Sequence, residues 1–282
     1  MKVRIKKLIL CIASLFCFEW AVFAETVVNN MLKAYGNGNY TEARRLAEKV
    51  PGKPKAQLVK ALCIVFDPVK QDMDRGLIAL KTLYQDEDLP IQVWSQAALT
   101  YGRIAQLVQF REEFYGNLAS EINTDEIFQK IINKLPTSCE ACTALLFSLT
   151  GKFHSSDPRN INDAFIRLEN FCRDFKGKSQ YLVPVHLFAE QKYITAGKDY
   201  SSAVRHLEMA YKAGIANPRN AEIILYRIGR IYDQKLKKRE KATAYYNEFL
   251  KKYPGSSCVF VVRRFLEAPK AQTKEITNGQ KK

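Results

Sequence analysis

The sequence is short of the residues and runs that mark several classes of protein. Only 13 glycines and 10 prolines occur among 282 residues, which excludes collagen-like and low-complexity chains. Alternating runs of Val, Ile and Thr are scarce, so β-strands are not predicted. The chain lacks a glycine-rich phosphate loop and a pair of carboxylates spaced for acid–base catalysis. A composition with 47% hydrophobic and 26% charged residues instead favours a globular, all-α chain.

Acidic residues are outnumbered, with 29 Asp and Glu against 44 Lys and Arg, which gives a formal net charge of +15. In an intracellular protein this excess would suggest nucleic acid as the partner. Residues 1–24, however, join a basic start, an apolar run over residues 8–18 and small residues ending at Ala24. This pattern predicts a signal peptide cleaved before Glu25. The alternative is an uncleaved anchor, although the apolar run is shorter than the roughly 20 residues of a spanning helix.

If the signal is cleaved, the protein is exported, and we expect it in the periplasm of a bacterial envelope. Export argues against nucleic acid as a partner. Acidic proteins, acidic polysaccharides or an anionic membrane surface suit the positive charge better.

A stretch near the C-terminus carries two helical patterns joined by a basic turn. The marks of the first helix are Leu225, Ile228, Gly229 and Tyr232, and those of the second are Ala242, Tyr246, Phe249 and Pro254. This hairpin resembles the tetratricopeptide repeat (TPR), with a turn one residue longer than the common form. Because one hairpin cannot bury its own apolar face, the resemblance implies further copies.

The pattern recurs twice upstream with a period of 39 residues. Small residues are expected where the two helices of a hairpin cross closely, and they are Ala43, Gly76, Ala164, Ala203 and Ala242. The fold class predicted from this resemblance is an all-α, right-handed α-solenoid of about six hairpins with a C-terminal capping helix. The predicted segments are degenerate hairpins over 25–137, three regular hairpins and the cap over 138–267, and a disordered basic tail over 268–282. Residues 109–123 form an insertion that we expect to be helical.

The cysteines and histidines offer little catalytic chemistry. Cys139 and Cys142 lie at a predicted helix start, where they would be buried thiols or a local disulfide, with redox chemistry as the alternative. The repeat register places His154 and His186 at packing positions, so both are predicted to lie in or beside the core. The sequence supports no Cys–His or Ser–His dyad, and we predict neither a metal nor a cofactor.

In TPR arrays the first helices of successive hairpins line a concave groove that binds a peptide or a partner helix. The resemblance places Tyr226 and Arg230 in this groove, with Leu187, Gln191 and Lys152 as counterparts. The repeat does not require Tyr226 or Arg230 for packing, and the basic groove suits an acidic peptide or a C-terminal carboxylate. The expected function is a non-enzymatic scaffold for outer-membrane or cell-wall assembly. The alternatives are a thiol-redox protein and a basic protein held at an anionic membrane surface.

Overall fold

The computed structural model describes residues 26–69, 71–109 and 122–267. These residues form thirteen α-helices and no β-strand, which confirms the predicted all-α fold class. Within the same residues, no helix combines the length and hydropathy needed to cross a membrane. The chain divides between Ser155 and Ser156 into two compact units. The predicted signal peptide (1–24), residues 110–121 of the predicted insertion and the predicted tail (268–282) lie outside the described residues.

The first unit contains seven helices in its described residues, and each packs against the next one in the chain. They are α1 (Thr26–Gly36), α2 (Tyr40–Glu48), α3 (Pro54–Phe66), α4 (Met73–Gln85), α5 (Ile91–Gln109), α6 (Thr124–Lys134) and α7 (Cys139–Phe153). Trp94 and Phe128 are fully buried in the largest core cluster, which α3 to α7 share. A smaller cluster around Met31 holds α1, α2 and α3 together.

The second unit contains six helices in its described residues. They are α8 (Pro158–Asp174), α9 (Val183–Lys192), α10 (Tyr200–Ala213), α11 (Pro218–Arg230), α12 (Arg239–Lys252) and α13 (Val259–Glu267). A short 3₁₀ turn, Ser179–Leu182, precedes α9. The core of this unit is centred on Leu225, Ile228 and Phe249, none of which is exposed.

Local sequence signals set the helix boundaries. Side chains at the N-cap accept hydrogen bonds from backbone N–H groups of the first turn, which would otherwise lack partners. These caps are Asn39, Asp72, Asn123, Ser138, Asp157, Asp199 and Asn217. Asp67-Pro68 ends α3 after Phe66, because a residue before proline is driven out of the helical region.

All five of the small residues expected at close helix crossings are buried. Glycine allows an even closer approach in α4 and α11. A Cβ added at Gly229 would lie 2.5 Å from Cε1 of Tyr246, and one at Gly76 would overlap Cγ2 of Val65. At both positions a larger residue would therefore force the neighbouring side chain or the helix itself to move.

The extra residue predicted in the hairpin turns appears as a turn of π-helix. Such turns follow α9 at Tyr193–Gly197 and α11 at Ile231–Lys235. Each turn is followed by a lysine in the left-handed region, Lys198 with φ 51° and Lys237 with φ 55°. The π turn absorbs one additional residue without breaking the helix, so the apolar face keeps its register.

Two residue-level expectations are wrong. His154 was predicted to pack in or beside the core, but it is exposed at the C-cap of α7. The spacing of Cys258, Val261, Val262 and Phe265 predicts the capping helix α13 with these residues on its apolar face. Val261 is nevertheless 52% exposed, whereas Val262 is fully buried.

The two compact units divide after α7, because α7 packs against α5 and α6 in the first unit. The predicted boundary at 137/138 separates degenerate from regular hairpins, not compact units, and it stays a prediction.

Candidate functional site

The predicted groove residues of the second unit lie on one face of α9 and α11. We call this surface the first-helix face and define it by Leu187, Gln191, Ile223, Tyr226 and Arg230. The two helices are joined directly, because the guanidinium of Arg227 donates to Oε1 of Glu190. Glu190 is only 2% exposed, and its burial raises the pKa of the carboxyl, although Arg227 opposes that shift.

Tyr226 is half-buried, and it forms part of the packing of its hairpin. Its ring centroid lies 5.7 Å from that of Phe249 and 6.2 Å from that of Tyr246. The interpretation that the repeat does not require Tyr226 for packing is therefore wrong. Burial raises the pKa of the Tyr226 hydroxyl, and the guanidinium of Arg230 lies 5.8 Å from the ring centroid. Arg230 is exposed and also donates to Oε1 of Gln234 over 3.3 Å.

The remaining members of the first-helix face differ in exposure. Leu187 is half-buried against the core of the second unit, and Gln191 is exposed. Ile223 is 46% exposed, and the sequence analysis did not identify it. Its signal was available, because Ile223 precedes Tyr226 and Arg230 on the same helical face at i, i+3 and i+7. The face thus combines apolar, aromatic and cationic side chains.

Lys152 belongs to the first unit and is described separately from the first-helix face. It is half-buried and lines a shallow pocket of about 330 Å³ with Asp125 and Ser148. The Ser148 hydroxyl donates to Oδ1 of Asp125 over 2.5 Å. In the same pocket, Nε2 of Gln106 donates to the backbone carbonyl of Phe147 over 2.9 Å.

The Cys139/Cys142 pair begins α7, as the sequence predicted. Ser138 caps this helix by accepting from the backbone N–H of Ala141. Cys139 is half-buried, Cys142 is 3% exposed, and both are thiols in the structure. Because Cys142 is shielded from solvent, nothing in its placement favours exchange with a substrate disulfide. The local disulfide between the two residues stays a prediction.

Two glutamates in the second unit each accept hydrogen bonds from the following hairpin. Glu208 accepts from the hydroxyl of Tyr232 at 2.8 Å and from that of Tyr245 at 2.7 Å. Glu169 accepts from the hydroxyl of Tyr193 at 2.6 Å and from Nε2 of His206 at 2.9 Å. The donors follow the acceptor by 24 and 37 residues in both cases. We call these two arrangements the glutamate clasps.

The electrostatics of the first clasp depend on its neighbours. Burial alone would raise the pKa of the Glu169 carboxyl, but hydrogen bonds from His206, Arg205 and Tyr193 hold it far below its usual range. Burial and the bond to Glu169 raise the pKa of Tyr193. The Glu169 carboxylate therefore stays ionised while it accepts a hydrogen bond from the buried His206.

Two further side chains meet His206 at the first clasp. Nδ1 of His186 lies 3.0 Å from Nδ1 of His206, and Sγ of Cys172 lies 3.9 Å from Nδ1 of His186. His186 is 4% exposed and His206 is not exposed, so the burial predicted for His186 is confirmed. The sequence analysis missed the meeting of these three residues, because they lie on three different helices.

A family comparison covers the hairpin formed by α11 and α12. Residues 224–256 match the family model of the tetratricopeptide repeat. A search of curated proteins found no match to the chain. The matched residues include Tyr226, Arg230 and both donors of the second clasp. Because such repeats are typically parts of non-enzymatic scaffolds, the match indicates a scaffold for protein–protein interaction.

Proposed function

We propose that this chain is an exported, non-enzymatic scaffold that binds an acidic peptide segment of a partner protein on the first-helix face. We further propose that it acts in the assembly of the bacterial envelope, in the outer membrane or the cell wall. The pairing of an exposed Arg230 with the half-buried ring of Tyr226 carries the proposal for the binding face.

The charge of the first-helix face supports an acidic partner. The two acidic residues of α9 and α11 are already engaged, since Glu190 pairs with Arg227 and Glu222 accepts from Ser256. Arg230 is exposed at the end of α11, and Arg219 is exposed at its start. A carboxylate approaching the face therefore meets cations, while its own chain can lie over Ile223 and Tyr226. Arginine suits this role because its planar guanidinium binds a carboxylate through two parallel hydrogen bonds.

The test combines site-specific crosslinking with a charge reversal. A photoreactive amino acid replaces the exposed Gln191, and the chain is irradiated in envelope extract. We expect the captured partner to be crosslinked within a segment rich in Asp and Glu. A chain that carries the same photoreactive group at Lys251, which is exposed on α12, should not capture that segment.

Arg230→Glu then tests the cation itself, with Lys251→Glu as the matched control. Both changes reverse one exposed charge, but Lys251 lies on the second helix of the hairpin. A synthetic peptide with the captured acidic sequence should bind about tenfold more weakly to Arg230→Glu, which corresponds to about 1.4 kcal/mol. Its binding to the unmodified chain should weaken as salt is added. Equal binding by the two variants, or capture of a basic segment, would refute the proposal.

Export rests on residues 1–24 and is tested by the intact mass of the chain recovered from cells. A chain that begins at Glu25 and fractionates with the periplasm supports export. A chain that retains residues 1–24 in the cytoplasmic fraction contradicts it, independently of the binding face.

A further inference from the structure

The first glutamate clasp holds a group of side chains that the scaffold function does not use. Cys172 on α8, His186 on α9 and His206 on α10 each offer one ligand atom, and these atoms lie within 4.8 Å of one another. The two histidines are buried, whereas Cys172 is half-buried. Thiol and imidazole are the side-chain groups that zinc prefers in proteins.

Glu169 fixes the proton of His206. A carboxylate only accepts hydrogen bonds, so Nε2 of His206 carries the proton that Glu169 receives at 2.9 Å. In the neutral imidazole the remaining nitrogen, Nδ1, has a lone pair, and it lies 3.0 Å from Nδ1 of His186. Either one of the two imidazoles donates a proton to the other across this gap, or both lone pairs bind a cation. A carboxylate that orients the outer nitrogen of a histidine is the usual support of a metal ligand.

The second clasp shows what the same positions hold where the side chains cannot form a zinc site. One 39-residue period after His206, His186 and Cys172 stand Tyr245, Leu225 and Tyr211. The acceptor and the first donor are unchanged, because Glu169 and Tyr193 correspond to Glu208 and Tyr232. The first clasp thus differs from the second at all three residues that could ligate a metal. Hydrophobic packing explains Leu225 but not the burial of a second imidazole beside His206.

We propose that Cys172, His186 and His206 form a binding site for one zinc ion. The ligands are the Cys172 thiolate and the Nδ1 atoms of both imidazoles, with Glu169 as the outer partner of His206. On binding, the thiol proton passes to solvent and His186 keeps its proton on Nε2. Three protein ligands leave one position of the tetrahedron for water or a fourth group.

The observed distances are close to those of such a site. Zinc–nitrogen bonds of about 2.0–2.1 Å and a zinc–sulfur bond of about 2.3 Å place tetrahedral ligands about 3.3 Å (N to N) and 3.6 Å (N to S) apart. The structure has 3.0 Å between the two nitrogens and 3.9 Å between Sγ of Cys172 and Nδ1 of His186. The third separation, between the ligand atoms of Cys172 and His206, is at most 4.8 Å. Closing all three separations to tetrahedral values therefore needs side-chain movements of up to about 1 Å, which rotation of the Cys172 side chain can supply.

Burial keeps two of the three ligands, Cys172 and His186, neutral until the metal binds. Burial raises the pKa of the Cys172 thiol to about 12, and burial lowers the pKa of His186 to about 4. The imidazole is therefore already in its binding form, and only the thiol must lose a proton. Because Cys172 is partly exposed, an ion can enter from its side of the cluster.

The test uses the purified, untagged full chain after treatment with a chelator. Equilibrium dialysis against Zn²⁺ should give one ion per chain, and Co²⁺ should produce the intense absorption of tetrahedral thiolate coordination. Cys172→Ser should abolish the sulfur-to-cobalt band, whereas Cys258→Ser, another half-buried cysteine of the same unit, should retain it. The loss of Cys172 should weaken Zn²⁺ binding by at least about 100-fold, the upper range for losing even an outer-shell partner.

A double variant, His186→Leu with His206→Tyr, installs the residues of the second clasp. It should keep its circular dichroism spectrum and thermal midpoint without zinc, and it should lose the increase in midpoint that Zn²⁺ gives the unmodified chain. Zinc uptake by the unmodified chain no greater than that of the double variant would overturn the proposal. A cobalt–sulfur band that is still present in Cys172→Ser would also overturn the proposal. This second result does not depend on whether the double variant folds.

Discussion

The packing of Tyr246 of α12 against Gly229 of α11 predicts a measurable loss of stability for Gly229→Ala. A Cβ at this position would lie 2.5 and 2.7 Å from Cε1 and Cδ1 of Tyr246. Real Cβ atoms almost never approach a neighbour this closely, so either the ring or the helix must move. The ring has little freedom, because Tyr246 is 3% exposed and packs edge-on against Phe265 with centroids 4.8 Å apart.

Two opposing effects determine how much Gly229→Ala lowers the free energy of unfolding. Overpacking a filled core costs about 1–3 kcal/mol, and a rigid ring with no space behind it places this site in the upper half of that range. Alanine recovers about 1 kcal/mol, because glycine is the poorer helix former. The net loss in the free energy of unfolding is then about 1–2 kcal/mol. For a chain of this size that loss corresponds to a fall in Tm of roughly 2–4 °C.

Thermal and urea unfolding of Gly229→Ala, Tyr246→Leu and the double variant provide the measurement. Because Leu is smaller than Tyr, the alanine should cost less in the Tyr246→Leu background than in the natural one. Gly255→Ala is the control, since a Cβ there meets nothing within 4 Å and its effect should be small. A Gly229→Ala chain as stable as the natural one would refute the close crossing.

Two further predictions concern the second unit. Tyr245→Phe removes one of the hydroxyl groups that donate to Glu208, and it should lower the free energy of unfolding in urea by about 1–2 kcal/mol. The control, Tyr253→Phe, should lower it by under about 0.5 kcal/mol. Equal losses in the two variants would contradict the clasp. Asp199→Ala removes the N-cap of α10 and should cost about 1 kcal/mol at pH 7. Hydrogen bonds from Ser202 lower the pKa of Asp199 in the folded chain. The stabilisation that the ionised carboxylate gives the fold is therefore fully present above the ordinary carboxyl pKa, and it is lost as the pH falls through the lowered pKa. Asp199→Asn should keep the N-cap hydrogen bonds, and its stability should not show this dependence on pH. If Asp199→Ala lowers the free energy of unfolding by the same amount at pH 2 as at pH 7, the ionised carboxylate is not the source of the stabilisation.

The helices were predictable because the spacing of apolar and small residues along the chain indicates them directly. The residues expected at helix crossings, such as Ala203 and Ala242, are small in the sequence and fully buried in the structure. The longer turns were also visible as an extra residue, and the π turns before Lys198 and Lys237 confirm them. Each of these features depends on neighbours within one hairpin, which a repeat register captures.

Contacts between hairpins were not predictable in the same way. A glutamate on a helix normally faces water, so the recurrence of Glu169 at Glu208 carried no evident meaning until the tyrosines were seen to reach both. The prediction for His154 was wrong because the repeat register assigned it a packing position, whereas α7 ends at this residue and leaves it exposed. The partial burial of Tyr226 likewise depends on the ring of Phe249, which lies on the other helix of the hairpin.

The equal spacing of the two clasps has a consequence for how such a chain can lengthen or shorten. Each acceptor finds its donors 24 and 37 residues later, so every partner lies less than one 39-residue period away. Duplicating or deleting one whole period would therefore supply each glutamate with donors at the same separations. Unequal recombination in whole periods could thus add or remove a hairpin without leaving a carboxylate unbonded.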